Sequence, residues 1–227
     1  MSNRANPPAT TLNATDDARQ RLLGAALRLF SEHGYSKTST RELADAARVN
    51  IASISYYFGD KAGLYRATFI EPMGASGDDT ALYSGLDVTL TQLLRSFYAV
   101  FLEPLKQGDV ARQCMKLQFR EMVEPTGLFD PGEACGIRPM HEALVQVLCR
   151  HLGLAQPDHD LQRLAVCLAG LGVHMHVGRD ITDQLVPGLN QGVDALDLWA
   201  DRLVMFGLAM VQAEAQRRGM TISGDHA

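Results

Sequence analysis

The sequence predicts an all-α protein: an N-terminal three-helix domain containing a helix-turn-helix, followed by a larger helical C-terminal domain. Three observations lead there. Apolar residues recur at the helical period along the chain, and no run alternates convincingly as a strand would. Three short helical segments crowd into the stretch before residue 70, whereas the segments after residue 80 are longer. Charge divides at the same place: residues 1–70 carry nine Lys/Arg against six Asp/Glu, and residues 71–227 carry twelve against twenty. The expected organisation is a disordered arm at 1–16, a first domain at 17–70 and a second at 80–218.

The elements follow from stripes and stop signals. A first helix is expected from about Asp17, capped by Thr15 or Asp16, with Leu22, Leu23, Ala26, Leu27 and Phe30 as its apolar stripe and Gly34 as its end. Ser39-Thr40-Arg41-Glu42 is a capping box, in which each of Ser39 and Glu42 accepts from the other's N–H. Leu43, Ala46 and Ala47 should then face inward. Asn50 can cap a short helix over Ile51 to Tyr57, which Gly59 ends, and Asp60 caps another from Lys61 through Leu64, Tyr65 and Phe69. After a flexible stretch at Gly74–Gly77 with Asp78 and Asp79, Leu86, Leu90, Leu93, Phe97, Val100 and Phe101 mark one helix, and Val110, Cys114, Leu117 and Met122 another. A loop with Pro131 precedes Pro139, which suits a first turn. Two last helices, about Asp158 to Val177 and Val193 to Arg218, flank a loop with Pro187 and Gly188.

Composition narrows the function. A chain of 227 residues, 46% apolar, supports one large or two small cores. The longest apolar run, Leu203 to Val211, is far below the roughly 18 residues of a membrane span. The polar N-terminus lacks the apolar segment of a signal peptide, so a cytoplasmic location with no membrane partner is expected. Cys114, Cys135, Cys149 and Cys167 form no CxxC pair, which points to buried, inert thiols rather than a metal knuckle or disulfide framework. A net charge of −5 hides the basic first domain, so contact with nucleic acid should be confined to it.

The two short helices around a tight turn read as a helix-turn-helix, whose second helix enters the major groove. "SISYYFGDKAGLY" (53–65) then makes sense. Ser53, Ser55, Tyr56 and Tyr57 offer hydroxyls to phosphates or base edges, while Ile54 and Phe58 pack inward on Leu27, Phe30 and Leu43. Lys61 adds a cation at a helix start, where N–H groups also favour phosphate.

These residues carry a resemblance. Ala26 to Tyr35 (A-x-x-L-F-x-x-x-G-Y), Thr38 to Ala44 (T-S-T-R-E-L-A) and Tyr56 to Leu64 (Y-Y-F-G-D-K-x-x-L) make the run from Arg21 to Phe69 similar to the DNA-binding domain of TetR-family bacterial repressors. The resemblance implies a homodimer that places one such domain in each half-site of a palindromic double-stranded operator. Dimer interface and effector pocket are then implied in the C-terminal helices. The implied DNA contacts are Thr40, Arg41, Ile51, Ala52, Ser53, Ser55, Tyr56, Tyr57 and Lys61, with Asn50 beside them. Arg48 departs from the family, which commonly has a turn glycine there. Arg120 to Gly127 (REMVEPTG) and Ile137 to Gly153 resemble the CecR-like subgroup, which contains repressors of drug-efflux and membrane-transport genes.

In the C-terminal body, Phe97, Phe101, Met115, Phe119, Met122, Met140, His141 and His174 are the candidates for an effector pocket, and their character suggests a small hydrophobic or aromatic ligand. The same Met and aromatic set reads equally as plain core. His174 and His176 stand two apart on a helix, about 200° around its axis, so they cannot chelate one ion together. No metal or cofactor is expected. The last helix is apolar around most of its circumference (Leu196, Trp199, Leu203, Val204, Phe206, Leu208, Val211), and Ala165, Ala169, Gly170 and Gly172 offer close approach on the helix before it. Both features predict a dimer through a four-helix bundle. A thiol-based redox sensor is the alternative reading, and an enzyme the remaining class, although no catalytic motif is present.

Overall fold

The computed structural model describes residues 9–72, 88–128, 136–192 and 194–220. Its helices are α1 (Ala9–His33), α2 (Thr40–Ala47), α3 (Ala52–Phe58), α4 (Lys61–Ile70), α5 (Leu90–Lys106), α6 (Asp109–Val123), α7 (Ile137–His151), α8 (His159–Val177), α9 (Arg179–Leu185) and α10 (Ala195–Arg217). Among the described residues there is no strand and no helix long and apolar enough to cross a membrane. The chain divides into two compact units, 1–75 with 116–129, and 76–115 with 130–227. Residues 1–8 of the expected arm, the stretch Gly74–Asp79, Leu86, Pro131, Cys135 and Val193 lie outside the described residues.

In the first unit, α1 starts at Ala9, eight residues before the expected Asp17, so residues 9–16 are helical rather than an arm. The physical reason is that no Pro or Gly interrupts the chain between Pro8 and Gly24. Gly34, at φ 84°, ends the helix, and its N–H donates to the Phe30 carbonyl at 2.9 Å. The Ser39–Glu42 capping box forms as read, with bonds of 2.7 and 3.2 Å. α2 buries Leu43, Ala44 and Ala47. Ala46, expected inside, is exposed, because those three neighbours already fill the inward face. Arg48 takes the left-handed turn conformation (φ 54°, ψ 50°) usually left to glycine.

α3 starts one residue later than expected. Asn50 caps it by accepting the Ala52 N–H at 2.9 Å, and Gly59 ends it at φ 81°. Asp60 then caps α4 through the Gly63 N–H at 2.7 Å. A Cβ on Gly63 would lie 1.9 Å from the Phe58 carbonyl oxygen, so the tight α3–α4 turn needs glycine there. The core gathers Leu22, Leu27, Phe30, Leu43, Ile54, Leu64 and Tyr65. Phe58 is half-buried with the Arg19 guanidinium 4.9 Å above its ring, and Arg19 forks onto Glu71 with two bonds of 2.7 Å.

In the second unit α5 packs against α8 and α10, and α7 against α8. Thr89 and Gln92 box-cap α5. Leu93, Leu94, Phe97, Tyr98, Phe101 and Leu102 on α5 are all buried. Two glycines permit this closeness. A Cβ on Gly172 would fall 2.5 Å from the Phe101 ring, and one on Gly207 would fall 3.1 Å from Leu94. Gly172 and the buried Ala165 are therefore used inside the subunit, and of the four small residues read as an outer surface Ala169 is half-buried and Gly170 exposed. α8 is capped by Asp158 through the Leu161 N–H at 2.9 Å, and Arg218 grips the same carboxylate at 2.6 and 2.8 Å. α9 occupies what reads in the sequence as loop. Its seven residues hold only two aliphatic positions, Ile181 and Leu185, too few for periodicity to mark a helix.

Candidate functional site

The ten residues expected at DNA lie on α2, in the turn before α3 (Asn50 and Ile51), on α3 and at the start of α4, within the first unit. α3 buries Ile54 and leaves much of the rest accessible. Ile51 is 50% exposed and Tyr56 77%. Arg41, Asn50, Ala52 and Ser55 are also exposed, and Thr40, Ser53, Tyr57 and Lys61 are half-buried. The adjacent tyrosines stack edge to face at 4.8 Å, which holds Tyr56 out from the surface without a buried partner of its own. The Ser39–Glu42 box, Asn50 and Asp60 each satisfy part of a helix start locally, so these side chains can be displayed on short helices.

Lys61 is set by a contact that the sequence does not announce. Its ammonium lies 4.2 Å from the centroid of the Tyr35 ring. Burial lowers its pKa, an effect partly opposed by the Glu42 carboxylate. A cation held this way has less freedom to lose when it meets a phosphate.

A second feature joins residues far apart along the chain. Glu121 is 0% exposed. It accepts the Tyr65 hydroxyl at 2.7 Å, and the N–H and hydroxyl of Thr126 at 2.8 and 2.9 Å. Arg120 donates to the Glu32 carbonyl at the end of α1 (3.2 Å) and to Glu124 (3.0 Å). The REMVEPTG run thus builds the last half of α6 into the first unit, although the sequence leaves it in the C-terminal domain. One signal was available: Glu121 follows Leu117 by four residues, and so shares its buried face. A cleft of about 270 Å³ opens beside this anchor, lined in part by His33, Lys37, Tyr65, Arg120 and Thr126.

The effector candidates are divided. Phe97, Phe101 and Met115 are buried in the second unit. Met140 and His141 are half-buried there, His141 bonded to Gln162 at 2.6 Å. Phe119 and Met122 belong to the first unit. Met122 is 44% exposed, because Glu121 takes the inward position of that turn. His174 is exposed too, 3.5 Å from the Thr182 hydroxyl. The inward histidine is His176, which bonds the Phe101 carbonyl at 2.7 Å; burial is the main cause that lowers its pKa.

Comparison with known proteins now adds to this geometry. The model for "Bacterial regulatory proteins, tetR family" matches residues 22–68. The model for "HTH-type transcriptional dual regulator CecR, C-terminal domain" matches residues 90–211, more than half of the chain. The chain belongs to the TetR family, in its CecR-like subgroup. It is 48% identical to the HTH-type transcriptional dual regulator CecR of Shigella flexneri over 164 residues, 67% of this chain and 72% of that one. Solved structures of transcription regulators share the fold. HlyIIR, a hemolysin II transcriptional regulator, aligns with a TM-score of 0.59 at 20% identity, covering 85% of this chain and 97% of its own. NalD, the secondary repressor of the MexAB-OprM multidrug efflux pump in Pseudomonas aeruginosa, gives 0.55 at 17%, covering 86% and 97%. Membership makes this TetR-family chain a DNA-binding transcription regulator.

Proposed function

We propose that this regulator is a ligand-responsive repressor, which holds a palindromic operator as a homodimer and leaves it when a small, mostly hydrophobic or aromatic effector binds. The observation that carries this is the display on α3: Ile54 anchors it, while Ser55, Tyr56 and their neighbours stay accessible beside Lys61. Lys61 and Tyr57 would hold phosphates, and Thr40, Arg41 and Ser53 would read base edges. The dimer would form through α8 and α10. Val166 (61% exposed), Gly170, Val173 and Val177 run along one line of α8, and Leu198, Met205 and Phe206 are exposed on α10.

Release requires two states that an effector tells apart. α4 begins at Lys61 and is tied by Tyr65 to Glu121 on α6, and α6 runs on in sequence from Asp109 in the second unit. An effector among Phe97, Phe101, Met115 and Met140 that displaces α6 would therefore move α4 and the half-site spacing with it. Burial works against Cys114 and Cys149 as sensing thiols, since it raises Cys114 to about 11 and also raises Cys149, whereas Cys167, expected to be buried, is exposed. The regulator would act in the cytoplasm, where its operator is.

The test starts from duplexes selected from random sequence with the wild-type protein. Lys61→Ala should weaken binding to all of them and lower the slope of log affinity against log salt by roughly one. An unchanged slope would overturn the phosphate assignment, and failure to enrich a palindrome would overturn the operator reading.

A further inference from the structure

We infer that Tyr35 is a positioning residue for DNA binding: the face of its ring fixes where the Lys61 ammonium stands and leaves that charge free for an operator phosphate. The inference rests on the phosphate role proposed for Lys61 above and names the residue through which that role is set. Lysine carries its charge on a flexible four-carbon stem, and ordering it at a phosphate costs rotamer freedom. Here the ordering precedes DNA. The Lys61 ammonium lies 4.2 Å from the centroid of the Tyr35 ring, and both side chains are half-buried. Among the described residues no ion pair holds Lys61. Glu42, the carboxylate whose charge bears on it, is taken up by the Ser39 N–H at 2.7 Å. A carboxylate partner would neutralise the ammonium and would have to be displaced by phosphate. A ring face attracts the cation through its quadrupole and leaves the net charge intact.

The ring itself is buttressed. Tyr35 follows the left-handed Gly34, whose carbonyl accepts the hydroxyl of the buried Thr38 at 2.9 Å. The Thr38 N–H donates to the Tyr35 carbonyl at 3.4 Å. The Tyr35 ring stands 5.9 Å from Phe30 and 4.9 Å from Tyr65, and the Tyr65 hydroxyl is tied to Glu121 at 2.7 Å. A line of contacts therefore runs from Glu121 through Tyr65 and Tyr35 to Lys61, all within the first unit. It joins the last half of α6 to the first residue of α4 by a route outside the α4 backbone. A side chain that only packed there would need bulk alone, whereas one that places a cation needs its π face.

Affinity and its salt dependence test this with the full chain, on a duplex enriched from random sequence with the wild-type protein. The set is Y35F, Y35L, K61A and Y35L/K61A. Y35F keeps a π face and should bind within about twofold of wild type, while Y35L should bind about three- to tenfold more weakly. Y35L retains the lysine charge, so its log–log salt slope should stay near wild type, unlike that of K61A. In the K61A background the leucine should change affinity by less than about twofold, because no cation is left to place. Equal losses in Y35F and Y35L, or a Y35L loss that persists beside K61A, would show Tyr35 acting through its hydroxyl or through packing, and overturn the inference. Wild-type affinity in Y35L while K61A is weak overturns it as well and leaves the phosphate role of Lys61 standing. Wild-type affinity and slope in K61A overturn both. Proton NMR of the wild-type protein decides the matter if Y35L does not fold. The Lys61 ε-methylene protons, identified by their loss in K61A, should be shifted upfield by the ring with and without DNA, and ordinary positions overturn the inference.

Discussion

α4 in the first unit and α5 in the second each bury a tyrosine within an aromatic cluster, and they satisfy it differently. Tyr65 lies 4.9 Å from Phe30, 4.9 Å from Tyr35 and 5.2 Å from Phe69, and donates a hydrogen bond to a buried carboxylate, Glu121. Tyr98 sits beside Phe97, which in turn meets Phe101 at 5.5 Å, and donates to a main-chain carbonyl, Leu168, at 3.3 Å. Burial raises the Tyr98 phenol far above its ordinary value. Around Tyr65 the geometry is set by directional bonds to one acidic residue. Around Tyr98 it is set by shape, with Gly172 and Gly207 letting helices approach. The first arrangement can be uncoupled by one polar substitution, whereas the second resists until its volume changes.

The largest effect should come from the shape-built cluster. Phe101→Ala should cost about 3–5 kcal/mol in thermal or urea unfolding, as for a buried aromatic that leaves a cavity. Gly172→Ala should cost about 1–3 kcal/mol by overpacking against the ring. The double variant should cost less than the sum, and simple additivity would break the account of the Phe101–Gly172 contact.

Next comes the carboxylate anchor. Glu121→Leu leaves the buried Tyr65 hydroxyl without that acceptor, at about 1–3 kcal/mol, and also removes the acceptor of the part-buried Thr126 N–H. Glu121→Gln, which keeps an acceptor oxygen, should recover part of the loss. Equal unfolding midpoints for the Leu and Gln variants would show the anchor to be packing alone.

Arg48→Gly should stabilise the first unit by about 1 kcal/mol, because glycine takes φ 54° without the steric cost; a lower midpoint would mean that the Arg48 side chain contributes more than its backbone costs.

The smallest effect belongs to a surface cluster of the second unit. Hydrogen bonds from Arg217, with those from Arg218, pull the Glu214 carboxyl down to about 2. A carboxylate lowered on folding stabilises fully above its unfolded pKa, about 4.3, and that contribution fades as pH falls from there to about 2. Glu214→Gln should therefore flatten a shallow loss of stability in that acid window and leave neutral pH nearly unchanged. A slope equal to wild type would exclude the cluster as its source.

Much of the first unit could be read from sequence because its signals act over a few residues. The Ser39–Glu42 box, the Asp60 cap and the Gly34 and Gly59 stops each depend on atoms within about one helical turn. Display of Tyr56 follows from a helix with one inward aliphatic residue. Periodicity also placed α5, α6, α7, α8 and α10, since a long apolar stripe has few places to go. What tertiary structure alone decided depends on partners far apart along the chain. Glu121 meets Tyr65 across 56 positions, and His176 rather than His174 turns inward to meet the Phe101 carbonyl across 75. Gly172 looks like a small residue for an outer interface until the Phe101 ring fills the space above it. α9 is the extreme case: a polar chain through Asn190 to Trp199 orients it, and its apolar side faces away from its own core. Helical period reports that a residue is on a face, but which face is inward is set by what packs against it.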